Sequence, residues 1–128
     1  MIYVDTSVVL AHLLAEDRVP PATLWSETLV SSRLLEYETW NRINARGLNG
    51  SHGGLVRDVL ARVGFIELVS PALERALHPF PTSVRTLDAL HLSSLLFIRD
   101  LGQDVRLASF DERQLATAAK LRIEPVSM

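Results

Sequence analysis

Ile2-Tyr3-Val4-Asp5-Thr6-Ser7 is the stretch on which the reading of this chain turns. Three consecutive β-branched or aromatic residues read as a short buried strand. Asp5 ends it, and Thr6 or Ser7 then caps a helix carrying Val8, Val9, Leu13 and Leu14. A strand that passes at once into a helix opens a βα unit, and the alternation continues downstream. Leu29-Val30-Ser31 reads as a second strand, after which Ser32 caps a helix over 33–46 closed by Gly47. Further strands are predicted over 65–69 and 105–108, with 123–126 as a last candidate. Further helices are predicted over 55–63, 86–100 and 111–121. Asn49-Gly50-Ser51-His52-Gly53-Gly54 reads as a loop, Pro20-Pro21 and Pro71 open short helices, and Pro79 with Pro81 stiffens a connector. This order predicts an α/β fold, one domain over 1–128, with a mainly parallel sheet of about four or five strands and helices on both faces.

Composition narrows the function classes. With 48% hydrophobic and 22% charged residues, the chain has the balance of a globular protein, which excludes disorder and fibrous repeats. No apolar run approaches the ~18 residues of a membrane span. The stretch from Val8 to Leu14 is followed directly by Glu16, Asp17 and Arg18. The opening has no basic n-region, so a cytoplasmic protein without a secretory signal is expected. The absence of cysteine excludes disulfides, thiolate zinc sites and thiol catalysis. A net charge of −2 offers nucleic acid no global attraction, yet the cations are almost all arginine, with Lys120 the single lysine. Genomic base composition is the plain explanation, and the phosphate-matching fork of arginine the functional one.

In open parallel sheets, ligands sit beyond the carboxyl ends of the strands. Asp5 and Asp111 both follow predicted strands there. Asp88 begins the most apolar helix, on the edge of its core-facing stripe with Leu92 and Leu95. Glu36 and Glu38 lie on the helix over 33–46, and periodicity does not choose between them. Each acid has a bland role: Asp5 and Asp111 as helix caps, Asp88 as a first-turn acid, Glu38 as a solvated side chain. Together they change the balance, because two carboxylates ~4 Å apart repel by about 4 kcal/mol at an effective dielectric of 20. A hard divalent cation such as Mg²⁺ or Mn²⁺ relieves that repulsion. Thr6, Ser7 and Ser109 are placed to hydrogen-bond such ligands, as well as to cap helices. His12, His52, His78 and His91 show no ligand spacing, and His91 reads as a packed or surface residue.

These motifs resemble those of PIN-domain proteins. Asp5-Thr6-Ser7 resembles their opening, Thr86-Leu87-Asp88-Ala89-Leu90-His91-Leu92 their central helix, and Ser109-Phe110-Asp111-Glu112-Arg113 their late motif. Ser31-Ser32-Arg33-Leu34-Leu35-Glu36-Tyr37-Glu38 resembles the segment with the family's helical glutamate, in a register that selects Glu38. At this length the likeness is to VapC-type toxins of toxin–antitoxin pairs. The resemblance implies an endoribonuclease dependent on Mg²⁺ or Mn²⁺, with Asp5, Glu38, Asp88 and Asp111 around the metal. It further implies a homodimer, a VapB-type antitoxin, and tRNA or ribosomal RNA as substrate. Arg85 and Arg113 are the basic residues that flank the acidic motifs.

Two rivals make different demands. A phosphotransferase of the haloacid-dehalogenase kind needs a second Asp two residues after the first, where Ser7 stands; a response-regulator receiver needs a lysine after a late strand, and Lys120 falls in a helix. A non-catalytic PIN-like module that binds RNA or protein would not need every acidic position filled.

Overall fold

The computed structural model describes residues 1–128. The chain runs β1 (Ile2–Val4), α1 (Thr6–Leu13), a 3-10 turn (Ala22–Ser26), β2 (Leu29–Ser32), α2 (Leu34–Ala45), α3 (Asn49–Leu60) and β3 (Val63–Ile66). It continues through α4 (Ser70–Leu73), a second 3-10 turn (Glu74–Leu77), α5 (Thr86–Asp100), β4 (Arg106–Ala108) and α6 (Glu112–Lys120). The four strands form one parallel sheet in the order β3-β2-β1-β4. β1 is wholly buried at its centre, as three apolar residues in a row require.

Side chains alternate across the sheet and so divide the interior in two. Ile2 and Val4 point to one face, where they join Val8, Leu35, Val56 and Leu60 from α1, α2 and α3. Tyr3 points to the other and joins Leu92, Leu95 and Ala118 from α5 and α6. The expected parallel sheet with helices on both faces is therefore present. The strand order turns at β1: the chain steps outward to β2 and β3, then returns to place β4 on the opposite side. Such a switch point opens a crevice at the carboxyl edge between β1 and β4.

Three expectations need correction. The stretch 49–54 is not a loop but the start of α3, and that helix ends at Leu60. The third strand lies at Val63–Ile66, two to three residues earlier than its apolar pattern suggests. Residues 123–126 contribute only an isolated bridge between Leu107 and Pro125, leaving four strands. Gly47, with φ +67°, ends α2 as anticipated, since that left-handed turn suits a residue without Cβ. No helix is long and apolar enough to cross a membrane.

Candidate active site

Asp5 leaves β1 in extended conformation, and its N–H continues the ladder to the Ala108 carbonyl at 2.9 Å. It stands at the start of α1, yet its carboxylate caps nothing. Its Oδ2 instead accepts the hydroxyls of Ser7 at 2.6 Å and Ser109 at 2.9 Å. Each hydroxyl also accepts a backbone N–H from the loop after β4, Ser7 from Phe110 (3.0 Å) and Ser109 from Asp111 (2.9 Å). Both hydroxyl protons are thereby committed to Asp5, and one carboxylate oxygen is left without a protein partner in a residue only 6% exposed. Neither Thr6 nor Ser7 caps α1: Thr6 donates to Glu38 Oε1 at 2.9 Å.

Asp111 does cap α6, accepting the N–H groups of Arg113 and Gln114 on Oδ1 at 3.0 and 3.2 Å. Asp88 sits half-buried in the first turn of α5. Its pKa is raised by burial first, then by the nearby carboxylates of Asp111 and Asp5, with Glu38 adding to the effect and His91 opposing it. The structure thus brings all four acids within electrostatic reach of one another at the switch point. Glu36 lies outside this group, paired with Arg33 at 2.8 Å.

His91, three residues after Asp88, is 1% exposed. Its Nε2 contacts Glu38 Oε1, and its Nδ1 is 2.7 Å from the Tyr3 hydroxyl. A carboxylate only accepts, so Nε2 carries the proton toward Glu38; in the neutral ring the Tyr3 hydroxyl then donates to Nδ1. Tyr3 in turn accepts the Ser32 N–H at 3.1 Å. Burial pulls the His91 pKa down, but the bond to Glu38 and the charges of Glu38, Asp5 and Asp88 outweigh it and raise it overall. Burial pushes the Tyr3 phenol upward, so it stays neutral.

The donor set suits a hard cation in chemistry, being all carboxylate oxygen with unshared lone pairs on Asp5 and Asp111. No three acidic or histidine side chains are gathered into a preformed cage. Gln114, which lines the same groove as Asp88 and Asp111, is 2% exposed, and neither of its amide atoms has a hydrogen-bond partner.

Arg85 and Arg113 line a groove of about 530 Å³ with Asp88 and Asp111. On the far side of Asp111, a second groove of about 720 Å³ reaches Ser7 and carries Arg18, Arg42 and Arg46. The sequence reading missed these three arginines, although Arg42 and Arg46 fall four and eight residues after Glu38 on one helix face. A further cavity of about 840 Å³, lined by Phe80 and Pro81 among others, includes none of the four acids.

No curated protein matches the chain. Among solved structures, it is similar to VapC20 of Mycobacterium tuberculosis, a sarcin-ricin-loop-cleaving toxin. The two are 22% identical, with a TM-score of 0.64 over 91% of this chain and 94% of that one. The PIN domain family model matches residues 2–121, from the first strand through the last helix and across every element that borders the crevice. On that match, the chain belongs to the PIN domain family.

Proposed function

We propose that this protein is a divalent-metal-dependent endoribonuclease of the VapC type, a single domain over 1–128 that hydrolyses RNA phosphodiester bonds at the Asp5–Glu38–Asp88–Asp111 crevice. The observation that carries the reading is electrostatic: Asp88 has a raised pKa because burial, Asp111, Asp5 and Glu38 all press on it. A fold that crowds acids this way loses stability unless a cation joins them. PIN-domain membership and the fold shared with an RNA-cleaving toxin point the same way.

Asp5, Asp88 and Asp111 would hold Mg²⁺ or Mn²⁺, with Glu38 beside them. When bound, such an ion lowers the pKa of water and offsets charge gathering on the phosphate oxygens. Ser7 and Ser109 fix the Asp5 carboxylate and turn its free oxygen to the crevice, with Thr6 and His91 doing the same for Glu38. Glu38 then orients the attacking water, and attack in line displaces the 3′ oxygen. No 2′-hydroxyl takes part, so the products carry 5′-phosphate and 3′-hydroxyl ends. Arg85 and Arg113 are placed to contact the RNA phosphates. In the cell, the reading assigns a cytoplasmic homodimer acting on tRNA or ribosomal RNA, silenced by a VapB-type antitoxin that sets an Arg or Lys among the acids.

The test is cleavage of total RNA by purified protein with Mg²⁺, with Mn²⁺ and with EDTA, beside Asp88→Asn. Discrete fragments with 5′-phosphate ends, dependent on metal and reduced at least ~100-fold in the variant, are expected. Cleavage by the variant at the wild-type rate, or 2′,3′-cyclic phosphate ends, would overturn the mechanism. Metal binding without turnover on any RNA would favour a non-catalytic binding module.

A further inference from the structure

We propose that Arg18, Arg42 and Arg46 form a phosphate track that holds the backbone of single-stranded RNA on the Ser7 side of the acidic crevice. This inference deepens the ribonuclease reading and rests on it for the place of the scissile bond. Glu38, Arg42 and Arg46 recur every fourth residue and so form one stripe along α2 and its end. At 1.5 Å rise per residue, the two arginines stand roughly 6 and 12 Å along the axis from Glu38. The stripe therefore leads from the acids straight into the groove that Ser7 and Asp111 border.

The pairing pattern shows that the cations are kept available. A glutamate four residues before an arginine ordinarily pairs with it on a helix surface. Here Glu38 is held instead by Thr6 and His91, and Arg42 is left without a carboxylate partner. Arg46 and Arg18 likewise make no ion pair, although Glu16 and Asp17 share the groove. The helix dipole makes two cations tolerable in the last turn of α2. It does not account for Arg18, which arrives from the segment after α1. That guanidinium lies 4.6 Å from the centre of the Phe110 ring, a cation–π contact on the loop that also binds Ser7.

Three exposed guanidinium groups share this groove with Glu16, Asp17 and Asp111 without pairing to any of them, and their forked donors match phosphate oxygens. The groove shares Ser7 and Asp111 with the crevice, so the fitting anion is a chain of phosphates that runs on past the acids rather than a lone ion. Asp111 stands on the ridge between this groove and the one with Arg85 and Arg113. A strand crossing that ridge meets arginines on both sides of the acids. With a net charge of −2, the protein needs such a local track to hold a polyanion at all.

The experiment is fluorescence anisotropy with a short, labelled, mixed-sequence single-stranded oligoribonucleotide, using the full chain in EDTA across a KCl series. Wild type is compared with Arg42→Gln/Arg46→Gln, Arg42→Lys/Arg46→Lys and Arg106→Gln, the last at the amino end of β4. The glutamine pair should bind several-fold more weakly. Its slope of log affinity against log salt should be shallower by about 0.7 per lost contact, so by about 1.4 in total. The lysine pair should keep the wild-type slope, and Arg106→Gln should match wild type. Melting temperatures within error of wild type exclude a folding defect, as expected at exposed positions. Unchanged affinity and slope in the glutamine pair would overturn the track and assign the arginines to an acidic protein surface. Equal weakening by Arg106→Gln, or no RNA binding by wild type, would overturn it too. Binding in EDTA is independent of turnover, so failed cleavage with intact slope changes would count against the nuclease reading alone.

Discussion

Asp88 holds its proton more tightly in the folded chain than the ordinary carboxylate value of 3.8, through burial and then through the charges of Asp111 and Asp5. A raised carboxylate pKa means that the folded state binds more protons than the unfolded one across that interval. Stability therefore falls as pH rises from 3.8 through the raised value. Asp88→Asn removes the penalty. In EDTA the variant should melt a few degrees above wild type at neutral pH, and the gap should close on acidification below the carboxylate range. Thermal melts over that interval check this, and a variant less stable than wild type at neutral pH contradicts it. Asp111 Oδ1 caps α6, as its sequence position suggested, and its Oδ2 makes no protein hydrogen bond, which leaves it free for the proposed metal role. Asp5 differs, because two serine hydroxyls displace the capping role that its position equally allowed.

At the level of elements, the order of strands and helices was legible because each alternates between its own hydrophobic periods. The start of α3 was not. Glycines at 50, 53 and 54 have poor helix propensity, and nothing local to them signals a helix. Packing supplies the signal: Gly53, Val56, Val59 and Leu60 bury one face of the helix. Gly54 faces open space without a left-handed backbone, so Gly54→Ala should stabilise the protein by about 0.8–1 kcal/mol. Urea unfolding with an unchanged m-value checks it; no gain would mean that the helix frays there. Likewise β3 is an edge strand, and Gly64, against the Leu29 carbonyl, broke the pattern that would have marked its true start. Periodicity left Glu36 and Glu38 open and the family resemblance chose Glu38; in the structure Glu38 meets Thr6 and His91, 32 and 53 residues away, while Glu36 pairs with Arg33.

For the molecule as a whole, Asp5, Asp88 and Asp111 were legible as residues that follow strands or open helices and Glu38 through the family resemblance, whereas the arginine track and the buried setting of His91 depend on how layers meet. Because folding creates the crevice, a cation that binds there should stabilise the entire chain. A concentration 100-fold above its dissociation constant should add about 2.7 kcal/mol. A rise in melting temperature with Mn²⁺ or Mg²⁺ that is lost in Asp88→Asn checks this; an equal rise in the variant would place the ion elsewhere. The contact between His91 and Glu38 has a wider meaning, for α5 packs on one face of the sheet and α2 on the other. Tyr3 and His91 belong to one hydrophobic layer, and the carboxylate they steady belongs to the other. Drift in either interior then registers at the Glu38 carboxylate, which makes the crevice a gauge of the packing behind it. If the crevice turns over RNA as proposed, selection on that activity also polices residues that no substrate would touch.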